Sequence, residues 1–384
     1  MAILISYHHF PHYRAGVFKE LIKNYPRITF IASEGDSFSG IPSMATVEYF
    51  RYIGGRGFWF KGLYFQPRLV IESIIGSYDV YVFLANPNFI STWVAALIAR
   101  LRGKRVIFWG HGFKSAANSP KNNLRKIFFK LANVFYAYGW RAKKNAEEMG
   151  FDVNLIYVGF NSLDYDLQLG LRNKCLVSLS CVNEIESCLK LLCISRLTKI
   201  CRYDVLFEAI ALARTKYSMK VQIKVIGDGP EIASLKSQAS MLGIDVDFIG
   251  ALYDEEQIAT HLYEADVTVS PGKVGLTAMH SMMYGTPVIS HDDFESQMPE
   301  VEAIVPGYTG YLFEKDNVAD LAEKLRDFKV AFPDRELTRQ RCFAMIDKVY
   351  NPAKQVVILT MAIQGSPAPV GNDAFVLFDE EAKA

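Results

Sequence analysis

No stretch of this 384-residue chain reaches the roughly 18 uninterrupted apolar residues that a membrane-spanning helix needs, although half of its residues are hydrophobic. The opening run to Ser6, followed by His8, His9 and Pro11, lacks the basic start and small-residue cleavage site of a secretory signal. It reads as a first buried strand and its loop, and a cytoplasmic protein is expected. Six cysteines are present, yet no two have C-x-x-C spacing and no histidine cluster lies near them in sequence. That disfavours a structural zinc site and leaves buried free thiols as the reading. There is no internal repeat and no nucleic-acid motif, so nucleic acid is not an expected partner.

At this length about two α/β domains are expected. The formal net charge of +1 hides an asymmetry: residues 1–165 hold 20 Lys and Arg against 10 Asp and Glu, and the rest of the chain carries the compensating acidic excess. A basic first half joined to an acidic second half points to an anionic partner for the first.

Short β-rich apolar runs alternate with amphipathic stretches. In the first half the candidate strands are residues 2–6, 28–32, 79–84, 105–109, 134–137 and 155–158, with helical stretches such as 16–24 and 89–101 between them. In the second half strands are expected at 191–195, 220–226, 246–249, 266–270 and 287–290, and helices at 204–216, 230–242, 255–264, 276–284, 318–326 and 337–349. Strands alternating with helices predict parallel sheets covered on both faces. The polar, irregular run 161–186 interrupts the pattern. The expected organisation is a Rossmann-like domain over 1–165, a linker over 166–188 and a second Rossmann-like domain over 189–345. A helical segment over 346–364 is expected to return to the first domain, and the Pro-, Gly- and Ala-rich tail 365–384 to be poorly ordered. Two doubly wound α/β domains in series predict a ligand cleft between them, at the carboxyl ends of the strands.

The most informative stretch is SPGKVGLTAMHSMMYGTPVIS, residues 270–290. It reads as strand, glycine-containing loop, helix, tight turn, strand. Backbone N–H groups of Gly275, Leu276 and Thr277 have no acceptor within such a helix, and with the helix dipole they make an anion site suited to a diphosphate. Other segments fall in order with it: Ile194-Ser195-Arg196-Leu197 followed by Asp204-Val205-Leu206, the turn Gly227-Asp228-Gly229-Pro230, Phe248-Ile249-Gly250, and residues 158–164. On these motifs the chain resembles glycosyltransferase family 4, the retaining enzymes of the GT-B fold that use nucleoside-diphosphate sugars. The resemblance covers nearly all of residues 1–360.

The resemblance implies the site. Arg196 takes the place of the arginine that binds the diphosphate, and Gly229 and Ile249 line the donor through backbone. The family's Glu-x7-Glu pair falls on Gly272 and His280, so Gly272 contributes only backbone, Lys273 is its neighbouring substitute, and His280 faces a ribose hydroxyl. The family lysine five residues beyond the arginine is Cys201 here, with Lys199 and Arg202 as flanking sources of charge. In the first domain Gly16 matches the glycine-rich loop that closes over the phosphates, and His12, Tyr13 and Arg14 of that loop are assigned to the acceptor. His111 resembles the histidine near the reacting centre. His111 and Arg196 are the expected catalytic residues. No metal and no cofactor is expected, the nucleotide sugar being a co-substrate, because cationic side chains and amides supply the positive charge.

The stretches 51–68 and 121–130 interleave basic with bulky apolar residues, which suits an anionic membrane surface. The expected function is transfer of a sugar to a glycan or polyprenyl-diphosphate-linked acceptor at the inner membrane face, in surface polysaccharide or glycolipid synthesis. The alternatives are a GT-B nucleotide-sugar epimerase, which needs a carboxylate pair that the sequence does not show, and a degenerate nucleotide-sugar-binding protein.

Overall fold

The computed structural model describes residues 1–33, 51–113, 120–178 and 188–369, without the side chains of His12 and Lys121. Its described residues divide into two compact units: Met1–Asp164 with the chain from Asn351 onward, and Tyr165–Tyr350.

In the first unit β1 (Ile3–Ser6), β2 (Ile28–Ser33) and β3 (Tyr52–Gly55) precede a hairpin of β4 (Phe58–Phe60) and β5 (Leu63–Phe65). Then come β6 (Val80–Leu84), β7 (Arg105–Gly110), β8 (Val134–Ala137) and β9 (Ile156–Val158). Among the described residues the main sheet is parallel throughout, in the order β3-β2-β1-β6-β7-β8-β9. Strands such as β1 (ILIS) and β8 (VFYA) are buried at every residue, which is why they read as unbroken apolar runs. The helices α1 (Ala15–Asn24), α2 (Pro67–Ile75), α3 (Ile90–Leu101), α4 (Pro120–Phe129) and α5 (Trp140–Glu148) join them. α3 buries its small-residue face, Ala95, Ala96 and Ala99, and leaves Val94, Leu97 and Leu101 exposed.

The second unit opens with α6 (Tyr165–Ser178) and continues as β10 (Cys188–Ile194), α7 (Tyr203–Tyr217), β11 (Lys220–Ile226), α8 (Ile232–Met241), β12 (Val246–Gly250) and α9 (Glu255–Glu264). It goes on through β13 (Val267–Ser270), α10 (Thr277–Met283), β14 (Val288–His291), β15 (Gly310–Phe313), α11 (Val318–Ala331) and α12 (Arg335–Lys348). Its described strands form a parallel sheet in the order β12-β11-β10-β13-β14-β15. The chain therefore builds outward from β10 on one side, then returns to build outward from β13 on the other.

The last described helix, α13 (Pro352–Gln364), belongs to the first unit. Val356, Leu359 and Ile363 lie buried in the cluster that holds Ile3, Val17, Phe18 and Trp109. Full burial of each such side chain contributes about 1.5–3 kcal/mol.

The expected linker differs from the fold in one respect. Residues 165–178 are helical, and α6 buries Gln168, Leu171, Arg172 and Cys175 within the second unit. Its low amphipathicity hides it, because the buried residues include a Gln and an Arg held by hydrogen bonds rather than by apolar contact. Arg172 grips Asp347 of α12 through two bonds of 3.0 Å. β3, the hairpin, α2 and β15 also lie where no element was expected. The tail from residue 370 falls outside the described residues.

Candidate functional site

A doubly wound sheet leaves a crevice at its carboxyl edge where the strand order reverses. In the second unit that point is between β10 and β13. The loops leaving these strands touch: the Gly272 N–H donates to the Cys201 carbonyl at 3.0 Å, and Thr277 Oγ1 to the Ile194 carbonyl at 3.3 Å.

The loop after β13 ends at α10. Val274 N–H is satisfied by Gln297 Oε1 at 2.8 Å and Ala278 N–H by the Gly275 carbonyl at 3.0 Å. Between them, the N–H groups of Gly275, Leu276 and Thr277 donate to no acceptor among the described residues, and all three residues are half-buried. Three adjacent unclaimed amide dipoles attract negative charge. The loop after β10 carries Arg196 and Lys199, and the loop after β13 carries Lys273. All three are exposed, and their cationic groups have no ion-pair or hydrogen-bond partner among the described residues.

Two of the expected donor residues are already engaged by groups of the protein. Arg202 is held by Asp204, Nε to Oδ1 at 3.1 Å, and by Asp316, so two carboxylates already neutralise it. The Asp204 hydrogen bond is the main reason its guanidinium holds its proton more tightly than usual. Gly272 is buried and offers no free backbone group: its carbonyl accepts from Gln297 Nε2 at 3.3 Å and from Ser290 Oγ at 3.4 Å. A Cβ at Gly272 would sit 1.8 Å from the Ile200 carbonyl oxygen. The glycine at this position lets the two loops close on each other, and a glutamate has no room. Cys201 ties its own loop: its Sγ donates to the Arg196 carbonyl at 3.1 Å and accepts from Ser195 Oγ at 3.2 Å.

Gly229 makes a similar close approach, with a Cβ there meeting the Leu197 carbonyl oxygen at 2.3 Å. Ile249 is half-buried near the end of β12, and the next carbonyl, of Gly250, accepts from Gly227 N–H at 2.7 Å. Glu300 is buried at 2% exposure; with Glu302 it helps burial push the Tyr350 phenol well up.

His280 is engaged by a residue the sequence reading did not select. Its Nε2 lies 2.7 Å from Glu255 Oε1. The same oxygen accepts from Tyr284 Oη at 2.9 Å and from Gln168 Nε2 at 3.0 Å. Burial alone would raise the Glu255 carboxyl, but the His280 bond, with the Tyr284 and Gln168 bonds, outweighs it and holds the group below its ordinary range. Burial first, and the Glu255 charge second, push the Tyr284 phenol far up. The available signal for Glu255 was its place, directly after an Asp254 helix cap on the carboxyl side of β12.

In the first unit two of the assigned residues, Arg14 and His111, meet at Tyr138, which sequence reasoning also missed. Arg14 is buried at 4% exposure, with Nη2 2.6 Å from Tyr138 Oη and its guanidinium 4.9 Å from the Tyr138 ring centroid and 5.6 Å from those of Tyr13 and Trp109. His111 directly follows β7, half-buried, with its ring 5.1 Å from that of Tyr138. Burial pushes the Tyr138 phenol well up, against the pull of Arg14. Arg14 is thus turned inward, onto Tyr138 and its neighbouring rings. Gly16 lies within α1, where a Cβ would come 3.0 Å from the Leu163 carbonyl oxygen and from Pro352 Cγ, so it serves a close helix approach. The His12 side chain lies outside the described residues.

Residues 188–328, from the start of β10 into α11, match the family model described as "Glycosyl transferases group 1". A 71-residue stretch is 35% identical to a GDP-mannose-dependent alpha-(1-6)-phosphatidylinositol dimannoside mannosyltransferase of Mycobacterium tuberculosis (strain ATCC 25177 / H37Ra). It spans 18% of this chain and 18% of that protein, less than a fifth of either. Anabaena HepE in complex with UDP is similar with a TM-score of 0.67 at 16% identity, over 95% of this chain and all of that one. The apo form of the lipopolysaccharide outer core galactosyltransferase WaaB is similar with a TM-score of 0.68 at 16% identity, over 95% and 99%. At such identity these structures show the fold: two Rossmann-like α/β domains of the GT-B class.

Proposed function

We propose that this protein is a glycosyltransferase that takes its sugar from a nucleoside diphosphate. The observation that carries this reading is the set of unclaimed amides at Gly275, Leu276 and Thr277 beside the unpaired Arg196, at the strand-order reversal of the unit matched by the glycosyltransferase family model. UDP in the structure of Anabaena HepE supports a nucleotide there.

The chemistry follows from the charges. As the bond between the anomeric carbon and the diphosphate oxygen breaks, its electron pair stays with the nucleoside diphosphate. The amide dipoles and the Arg196 guanidinium stabilise that growing negative charge in place. The acceptor hydroxyl oxygen forms the new bond and gives up its proton, and His111 is assigned to position or relieve it. Transfer with retention of configuration, as the family resemblance implies, belongs to this reading.

The acceptor is assigned to the first unit and to a lipid-linked glycan. No helix among the described residues is long and apolar enough to cross a membrane. The hairpin supports surface contact instead. Trp59 and Tyr64 pair inward against Phe89, while the opposite face pairs Phe58 with Phe65 and Phe60 with Leu63, all four exposed. Exposed Arg56, Lys61 and Arg68 accompany it. The 121–130 stretch divides differently: Phe128 and Phe129 are core, and Leu124 and Ile127 are exposed.

The test is turnover. Full-length protein is incubated with UDP-, GDP- and ADP-sugars and a polyprenyl-diphosphate-linked glycan, and nucleoside diphosphate release is followed. Acceptor-dependent release from one donor is expected. Release of a free epimer without acceptor, or no turnover with saturable binding, replaces this reading with one of the alternatives.

A further inference from the structure

The Glu255 cluster lies on the carboxyl side of the second unit's sheet, and it rests on side chains from three helices: Gln168 from α6, Glu255 from α9, His280 and Tyr284 from α10. Oε1 of Glu255 takes all three bonds. A carboxylate only accepts, so the proton in the 2.7 Å contact sits on His280 Nε2. In the neutral ring the imidazole is thereby held in one tautomer, whose Nδ1 lone pair has no partner among the described residues. The His280 backbone N–H bonds to the Leu276 carbonyl, one turn from the unclaimed amides, and helical side chains lean toward the N-terminus. A group held at those amides places its neighbouring atoms within about one helical turn, 5.4 Å, of His280. In a nucleotide sugar the diphosphate is flanked on one side by ribose and on the other by the transferred sugar, both rich in hydroxyl donors.

We propose that Glu255 is a positioning residue that fixes His280 as a hydrogen-bond acceptor for a hydroxyl of the nucleotide donor. This rests on the donor-site reading given above. The pair replaces one acidic side chain by an imidazole with a carboxylate behind it, and so keeps an acceptor at a position where the ring alone would be free to present a donor.

The experiment uses the full-length chain and isothermal titration. UDP, GDP and ADP are each compared with their 2′,3′-dideoxy forms and with the corresponding glucose conjugates. The wild type is compared with Glu255→Gln, His280→Asn and the double variant, folding being checked by circular dichroism. The expected result is that Glu255→Gln weakens, by about tenfold, only the ligands that carry the contacted hydroxyl. If ribose supplies it, the dideoxy forms are unaffected by the substitution. If the transferred sugar supplies it, the plain diphosphates are unaffected. In the His280→Asn background the Glu255 substitution has no further effect. Equal weakening of all ligands, or no weakening, overturns the proposal. Failure of all three nucleotides to bind the wild type removes the donor-site reading itself and this inference with it. A readout that needs no variant is the long-range 1H–15N spectrum of the wild-type histidines. It is expected to show His280 protonated at Nε2 alone at neutral pH, and a proton on Nδ1, in the neutral or the charged ring, overturns the proposal.

Discussion

At the scale of single residues, glycine and arginine positions were legible in the sequence but not always for their physical reason. Arg196 stands exposed and unpaired, so truncating it removes no internal contact. Arg196→Ala is expected to leave the unfolding midpoint in urea unchanged while weakening nucleoside diphosphate binding at least tenfold, since charge-assisted bonds contribute about 1.5–3 kcal/mol. Gly272 is the opposite case. The motif spacing located it, but only the structure shows that Ile200 fills the space a side chain would take. Gly272→Ala is expected to lose about 1–3 kcal/mol in urea unfolding, as overpacked sites do, and Gly272→Glu to lose more without raising activity. A Gly272→Glu variant as stable as the wild type contradicts this account. Arg202 pairs with Asp204 and with Asp316, 114 positions away, the latter a pairing that spacing does not reveal.

At the scale of elements, strands with continuous apolar runs were readable, and elements stabilised by polar burial or pairing were not. α6 is the clearest miss, because its buried face includes Gln168 and Arg172. The hairpin was masked by its composition: FWF and LYF alternate between inward and outward faces over too few residues for the period to show. α13 was expected to return to the first unit, and its burial shows how much that unit depends on it. Leu359→Ala is expected to cost about 2–5 kcal/mol by urea denaturation, as for fully buried leucines. The contact between α9 and α10 gives a pH signature. Because the Glu255 carboxyl is held below its ordinary range, its stabilising contribution is present above the unfolded value, about 4.3, and lost as pH falls through the folded one. The stability advantage of the wild type over Glu255→Gln is therefore expected to be full at neutral pH and to shrink on acidification below that value. An advantage independent of pH rules out ionisation of Glu255 as its source.

At the scale of the whole molecule, the sequence shows two domains of opposite charge, and the structure shows two doubly wound units. The basic unit also carries the exposed apolar hairpin face. If that face meets an anionic bilayer, co-sedimentation with phosphatidylglycerol vesicles is expected to fall with added salt and with Phe58→Ser and Phe60→Ser, while phosphatidylcholine vesicles bind less. Undiminished binding in the double variant excludes the hairpin as the contact.

The most direct measurement is calorimetric titration of UDP, GDP and ADP into the wild-type chain and into Arg196→Ala. The account predicts saturable binding of at least one nucleotide by the wild type, weakened tenfold or more in the variant. Binding of none, or equal binding by both proteins, contradicts it.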